Sequence, residues 1–240
     1  MSDVAVQIAR RVLLPVTLLF AVLVGLGLLV TRVLETTWPF TVEDTVNREL
    51  AAHRTSGWND VSLVFSTLAS TQLIVVVTVL VALVLRLVLH RWREPIFLCA
   101  AVSAQALIFL FTTMVIDRGR PAVEHMDDSP PTSSFPSGHT SAAMALYVGI
   151  AVLLALRARS TPAKVGWWAL LVLVPVGVAL TRMYRGMHHP SDVLASFLNG
   201  GACVAIMARA VLDRTRTWGR ARLPLGRSGG DVTPARTTAG

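Results

Sequence analysis

The chain has 240 residues, of which 53% are hydrophobic and 15% are charged, and its mean hydropathy is +0.60. Average soluble domains carry about 25% charged residues, so a soluble globule is excluded, and the same composition excludes a disordered chain. The net charge of +8 would suggest nucleic acid in a soluble protein. Here the charges lie between long apolar stretches, so we expect membrane lipids and no nucleic acid as partners.

Six stretches of the sequence contain no charged residue. They lie between residues 11 and 32, 60 and 86, 94 and 117, 128 and 157, 164 and 182, and 192 and 209. About 20 helical residues cross the hydrocarbon core of a bilayer. The sequence therefore predicts an all-α integral membrane bundle of six transmembrane helices, formed by residues 1–212 as one domain.

Three details of these stretches carry further expectations. The first is too long for a signal peptide and lacks a small-residue cleavage site, so a retained helix is predicted. The last two are short, so we expect their helices to continue past the bounding charges. Arg182 and Asp192 would then lie at or inside the membrane boundary, where charged side chains are costly and suggest function.

The basic residues predict the orientation of the bundle. If the N-terminus is cytoplasmic, 15 of the 22 basic residues lie on the cytoplasmic side, in agreement with the positive-inside rule. Both termini are then cytoplasmic, because the number of spans is even. Residues 213–240 are rich in Arg, Gly, Thr and Pro without apolar periodicity, which predicts a mobile basic cytoplasmic tail that touches anionic lipid headgroups.

The segment between Glu35 and Asp60 mixes charges with Trp38, Phe40 and Trp58. This composition is typical of a short interfacial helix on the outer leaflet. A plain connecting loop with aromatic anchors explains it equally well, and the sequence leaves both alternatives open.

Ionisable residues collect in three short segments at the outer end of the predicted bundle, which are 117–121, 136–139 and 182–192. The arginines in them are Arg118, Arg120, Arg182 and Arg185. Arginine binds phosphate oxygens in a planar, bidentate manner, so several arginines around one concavity predict an anion. The alternative for each is an anchor whose charged head reaches the interface.

Ser137, Gly138 and His139 stand where a Pro- and Ser-rich loop meets the fourth apolar stretch. We expect them to form the first turn of that helix, whose free N–H groups bind anions, while Gly138 allows close approach of the ligand. In the alternative, Ser137 only caps the helix and His139 is an interface residue.

His188 and Asp192 are four residues apart at the start of the sixth span, with Pro190 suited to an early helical position. One helical turn apart, the carboxylate can accept a hydrogen bond from one imidazole nitrogen and leave the other nucleophilic. His189 must then point elsewhere. The alternative is a structural polar cap.

A metal site at the same end of the bundle is a weaker alternative. Its candidate ligands would be His125, Asp127, Asp128, His188 and Asp192. Their spacing matches no familiar ligand motif, and the neighbouring arginines would repel a cation. We therefore predict no metal and no cofactor.

The three segments together resemble the signature of the membrane-bound type 2 phosphatidic acid phosphatases, also called lipid phosphate phosphatases. The matching residues are Arg120-Pro121, then Pro136-Ser137-Gly138-His139, then Arg182 followed by His188 and Asp192. Order, spacing and the six-span setting agree, and with the flanking helices the resemblance covers roughly residues 60–212.

The resemblance implies a role for each matching residue. His188 would be the nucleophile, Asp192 the residue that orients it and His139 the general acid. The groups that would hold the phosphate are Arg120, Arg182 and the Ser137–Gly138 turn. Two positions depart from the pattern, because Thr113 stands where the family has a lysine and Thr181 stands where it has a serine. Arg118 is our candidate for the missing charge.

A metal-independent lipid phosphatase with a phosphohistidine intermediate is therefore expected, in a plasma membrane with the site on the outer face. An outward site suits recycling of a lipid carrier, so an undecaprenyl-type polyprenyl diphosphate is the favoured substrate. Phosphatidate and phosphatidylglycerophosphate are the alternatives. A chain of another class, an inactive lipid-phosphate binder or transporter, is opposed by the presence of His139, His188 and Asp192. The oligomeric state is not predicted.

Overall fold

This computed structural model describes residues 3–128 and 131–213, and within them all regular structure is helical. In chain order the helices are α1 (Val4–Val33), α2 (Glu43–Ala52), α3 (Ser56–Leu68), α4 (Thr71–Leu89), α5 (Arg93–Val115), α6 (Gly138–Ala155), α7 (Thr161–Tyr184) and α8 (Pro190–Leu212). All except α2 and α3 are long and apolar enough to span a membrane. The predicted all-α fold with six transmembrane helices is confirmed.

The last two spans continue past their bounding charges, as the sequence predicts. Arg182 lies in the last turn of α7, and Asp192 lies in the first turn of α8 with Pro190 as its first residue. Both charged side chains are buried. Burying a charged group costs free energy, so each of these two side chains needs a partner of opposite charge or hydrogen-bonding groups close by.

The second charge-free stretch is divided between two helices, α3 and α4, a break that its composition does not predict. Helix α3 ends at Leu68, and α4 begins after Ser70, whose Oγ accepts a hydrogen bond from the N–H of Leu73 at 3.4 Å. Thr55 caps α3 in the same way through the N–H of Trp58 at 3.3 Å. The absence of charge identifies apolar helices, but it cannot show a break at a capping serine between two of them.

Helices α5, α6 and α8 form the centre of the bundle. Phe97, Leu98 and Leu146 are fully buried there, together with Cys203. The α6–α8 crossing is close, because a Cβ atom at Gly200 would lie 2.6 Å from both the Cβ of Met144 and the backbone oxygen of Ser141. Helices α1, α4 and α7 pack around this centre.

The two ends of the bundle differ in character. At one end the start of α1 (Ala9–Leu13) contacts the end of α8 (Ala208–Leu212). At the other end lie α2, the 116–137 connection and the 185–189 turn. Every segment that carries a predicted site residue therefore lies at the end of the bundle away from the start of α1 and the end of α8.

The segment from Glu35 to Asp60 contains a 3-10 turn (Phe40–Val42), the α-helix α2 and the start of α3, so the segment is helical and the plain loop does not hold. Helix α2 packs against α7 and α8. The predicted basic tail beyond Asp213 lies outside the described residues.

Candidate active site

His188 lies in the turn that joins α7 to α8. Gly186 in this turn has a φ of +74°, a conformation that favours glycine, and a Cβ there would lie 2.8 Å from the carbonyl oxygen of Glu124. The His188 ring is buried, and its Nδ1 donates a hydrogen bond to the carbonyl oxygen of Ser134 at 2.7 Å. A carbonyl only accepts, so Nδ1 carries the proton and the neutral ring leaves Nε2 unprotonated.

Asp192 is fully buried behind this histidine. Its Oδ2 accepts the N–H of His189 at 2.8 Å, its Oδ1 is paired with Arg118, and His188 Nδ1 lies 3.8 Å from Oδ2. The predicted one-turn pairing is present as a close electrostatic contact, whereas the direct hydrogen bond of Nδ1 goes to Ser134. Both carboxylate oxygens already have donors, which leaves His188 to the nearby carbonyl.

Burial lowers the pKa of His188, an effect that Asp192 opposes and the charges of Arg182 and Arg120 reinforce. The ring is therefore neutral at pH 7 and able to act as a nucleophile. His189, predicted to point elsewhere, lies between two carboxylates, with Nε2 3.3 Å from Asp44 and Nδ1 3.4 Å from Asp192.

The second predicted segment forms the first turn of α6. Ser137 is the N-cap, and its Oγ accepts the N–H of Thr140 at 3.4 Å. A Cβ at Gly138 would lie 2.9 Å from the ring of Phe109, so a larger residue would displace this ring. The side chain of His139 has no hydrogen bond within the described residues. It lies within electrostatic range of Arg182, His188, Asp127 and Arg120.

Arg182 and Arg185 hold one carboxylate, that of Asp127. Arg182 Nη1 donates to Asp127 at 2.5 Å and to Ser66 Oγ at 2.8 Å, and its buried Nε has no hydrogen-bond partner within the described residues. Arg185 donates to Asp127 from Nε and Nη2 and to Ser62 Oγ at 2.9 Å. Arg182 therefore retains a free donor, whereas Arg185 is fully engaged.

The sequence offers Asp127 only as a candidate metal ligand. It does not predict the ion pairs of this carboxylate with Arg182 and Arg185. Burial alone would raise the pKa of this carboxyl, but the hydrogen bond from Arg185 and the charges of Arg182 and Arg185 outweigh burial and hold it below its ordinary value. The carboxylate is therefore ionised and adds one negative charge beside His139.

Arg120 and Arg118 lie at the other side of His188. Arg120 Nη1 donates to the carbonyl oxygen of Met187 at 2.8 Å, and burial lowers its pKa while Asp192 raises it. Arg118, the candidate for the charge missing at Thr113, has other partners than a phosphate, because its Nη atoms hold Asp192 and Glu43. Arg118 therefore forms ion pairs with the carboxylates at the start of α8 and of α2.

Backbone hydrogen bonds connect the three predicted segments. Ser134 N donates to the carbonyl oxygen of Arg118 at 2.9 Å, and Ser137 N donates to that of Asp192 at 3.4 Å. Together with the bond from His188 to Ser134, they bring the predicted site residues into one cluster. Ser134 carried no signal in the sequence, because a backbone acceptor has no characteristic residue type.

Two cavities border this cluster. An apolar cavity of about 390 Å³ lies between α2, α3 and α7, and Thr181, Ser62 and Phe65 are among the residues that line it. A polar cavity of about 680 Å³ lies beside Arg120 and His189. The cluster thus has apolar surroundings on the Arg182 side and charged surroundings on the Arg120 side.

The part of the chain that the structure describes contains no group of three or more His, Cys, Asp or Glu side chains able to hold a metal ion. The carboxylates near His188, those of Asp127 and Asp192, are paired with arginines and with a backbone N–H group. Metal independence stays a prediction that requires a chelator experiment.

Comparisons with known proteins agree with this architecture. The PAP2 superfamily matches residues 95–216. The PAP2-type phosphatidylglycerolphosphate phosphatase of Bacillus subtilis is 20% identical with a TM-score of 0.70, over 84% of this chain and 97% of that chain. LpxE of Aquifex aeolicus is 21% identical with a TM-score of 0.56, over 72% and 98%. No curated protein matches the chain.

Proposed function

Because the chain belongs to the PAP2 superfamily of membrane lipid phosphatases, we propose that it releases phosphate from a lipid through a phosphohistidine formed on His188. Its membership confirms the resemblance drawn from the three motifs. The observation that carries the proposed mechanism is the 2.7 Å hydrogen bond from His188 Nδ1 to Ser134, which leaves Nε2 free to attack.

In the first step Nε2 of His188 attacks the terminal phosphorus, and the bond from this phosphorus to the departing oxygen breaks in line with the attack. The departing oxygen is the lipid's alcohol oxygen in a monoester and the bridging oxygen of the leaving lipid phosphate in a diphosphate. His139 donates the proton to the departing oxygen. In the second step water attacks the phosphohistidine, His139 accepts the proton of this water, and the P–N bond breaks. Asp192 stabilises the positive charge that develops on the His188 ring.

Arginines and backbone N–H groups supply the stabilisation of the phosphoryl oxygens. Arg182 offers its unpartnered Nε, and Arg120 is directed to the same turn. The first turn of α6 presents the N–H groups of Gly138 and His139, which have no hydrogen-bond partner within the described residues. An unpartnered buried donor costs about 1–3 kcal/mol, and a phosphate oxygen would remove this cost. No metal is needed in this mechanism.

The apolar cavity supports a lipid rather than a soluble phosphate as substrate. Its volume of about 390 Å³ lies at the lower end of the 300–1,000 Å³ typical of ligand sites, which suits the part of one hydrocarbon chain next to the headgroup while the rest stays in the bilayer. A polyprenyl diphosphate has one chain and is the substrate we propose. The likeness of the fold to a phosphatidylglycerolphosphate phosphatase supports the second candidate, a phosphatidylglycerophosphate.

The proposed setting is a plasma membrane with both termini cytoplasmic and the site outside. The distribution of basic residues supports it, as does the common end at which α1 begins and α8 ends. At an outer site the lipid tail can stay in the bilayer while the headgroup reaches His188.

Purified protein tests the proposal. Phosphate release is measured in detergent, with EDTA present, from undecaprenyl diphosphate, phosphatidate and phosphatidylglycerophosphate. We expect activity in chelator, inhibition by vanadate, no turnover by His188→Ala and a small residual activity of Asp192→Asn. His90→Asn, which changes an exposed histidine at the other end of the bundle, is the matched control.

Three results would contradict parts of the proposal. Full activity of folded His188→Ala would remove the nucleophile, and activity lost in EDTA and restored by a divalent ion would require a metal. Binding of lipid phosphates without release of phosphate would identify a binder or transporter instead of an enzyme.

A further inference from the structure

Helix α2 contacts the turn that carries His188, although it lies outside all three motifs. Asn47 is fully buried, and its Nδ2 donates to the carbonyl oxygen of His188 at 3.0 Å and to that of Met183 at 3.3 Å. One turn earlier on the same helix, Glu43 is also buried. The face of α2 that carries these two residues therefore packs on the nucleophile's turn and the start of α8.

The Glu43 carboxylate accepts three hydrogen bonds at the start of α8. Its Oε1 accepts the N–H of Ser191 at 2.8 Å, and its Oε2 accepts the Ser191 hydroxyl at 3.1 Å and Arg118 Nη2 at 2.6 Å. Arg118 Nη1 in turn donates to Ser191 Oγ at 2.7 Å and to Asp192. A continuous chain of hydrogen bonds thus runs from Glu43 through Arg118 to the carboxylate behind His188.

The charges along this chain explain what Glu43 does. Asp192 and Glu43 share one guanidinium, so Arg118 is only partly neutralised by Asp192. Without the charge of Glu43, Arg118 would act on Asp192 alone and weaken the field that this carboxylate exerts on His188. The other ionisable groups that face His188 are Arg182 from α7, Arg120 from the 116–137 connection, and His139 from α6.

We propose that Glu43 is a positioning residue of the phosphatase site, which holds Arg118 and the first turn of α8 so that Asp192 stands behind His188. This inference rests on the proposed role of His188 as the nucleophile. It also assigns Arg118 to the support of Asp192 rather than to the phosphate.

The test compares Glu43→Gln with wild type in a pH profile of kcat/KM and in kcat at saturation. Losing one negative charge near His188 disfavours the protonated ring, so the acid limb should move to lower pH by about half a unit. We expect kcat to fall about tenfold, the lower end of the loss seen when a hydrogen-bonded partner that orients a metal-bound histidine is removed. KM should change little, because Glu43 holds no phosphate.

Glu49→Gln is the matched control, since it makes the same change on an exposed side chain of the same helix. It should keep wild-type kcat and the wild-type acid limb. A Glu43→Gln variant that behaves like this control would overturn the inference. A loss of activity with an unmoved acid limb would also overturn it, because a merely structural role predicts that result.

If Glu43→Gln does not accumulate in a folded form, Glu43→Asp decides. The shorter acid cannot span Ser191 and Arg118, so Arg118 is left on Asp192 alone, and we expect reduced kcat together with an acid limb at lower pH. Wild-type kcat, or reduced kcat with an unmoved limb, would refute the inference. Wild type and His188→Ala are measured alongside. An inactive wild type or an active His188→Ala would contradict the proposed function itself, which separates that failure from a failure at Glu43.

Discussion

Replacing Arg182 by lysine tests the proposed phosphate contact most directly. The substitution keeps a positive charge in the last turn of α7 but removes the planar group that presents several donors at once. In the structure Arg182 uses Nη1 for Asp127 and Ser66 and keeps a buried Nε without a partner in the described residues. A lysine ammonium can replace the first set of contacts but not the additional donor.

The expected loss follows from this geometry. One hydrogen bond to a charged oxygen contributes about 1.5–3 kcal/mol, and about 1.4 kcal/mol corresponds to a factor of ten. Arg182→Lys should therefore lower kcat/KM about 10- to 150-fold. The loss should appear in kcat/KM for every lipid phosphate, since the contact is to the phosphoryl group that all of them share.

The assay is phosphate release in detergent, with thermal stability measured on the same preparations. Arg185→Lys is the comparison, because Arg185 binds the same carboxylate and each of its three side-chain nitrogens already has a partner in the protein. It should lose more thermal stability and less kcat/KM than Arg182→Lys. An Arg182→Lys variant within twofold of wild type, or equal losses of kcat/KM for both variants, would refute the assignment of the free donor to phosphate.

Three further predictions concern stability and topology. Because the pKa of Asp127 is depressed in the folded protein, its ionised carboxylate adds stability above about pH 4, and this stability is lost as the pH falls through the folded-state pKa. Thermal stability should therefore fall more steeply below about pH 4 in wild type than in Asp127→Asn. Parallel curves for the two proteins would contradict this prediction. Gly200→Ala should lower thermal stability by the equivalent of about 1–3 kcal/mol, since its Cβ would lie 2.6 Å from α6, whereas Gly166→Ala, with nothing within 4 Å, should not; equal stability of both variants would argue against the close crossing. A membrane-impermeant thiol reagent on intact cells should label an exposed cysteine introduced at Thr132 and spare one at Arg159, and the reverse pattern would place the site inside.

The sequence predicts the spans well because membrane insertion depends on a simple quantity, the length of chain without charge. The same quantity cannot detect Ser70, where an apolar stretch is divided by a capped helix start. It also cannot choose between a helix and a loop for the segment that becomes α2, since mixed composition is compatible with both.

The candidate site could be predicted as far as its chemistry lies in short motifs. His188, His139 and Asp192 lie together as their spacing suggests, but the direct partner of His188 Nδ1 is a backbone oxygen of Ser134. A short motif cannot predict contacts between residues that are distant in sequence. Glu43 lies 75 residues from Arg118, and no local pattern connects an acidic residue on α2 with an arginine after α5.

The contact between the start of α1 and the end of α8 has a practical consequence. The start of α1 touches the end of α8, while His188 and its neighbours lie at the opposite end. Proteins inserted before α1 and directly after α8 would therefore begin on the same side, remote from the turn that carries His188. Complementary halves of a split fluorescent reporter attached in this way should reassemble on one folded chain and give a signal of bundle folding that leaves the proposed site undisturbed.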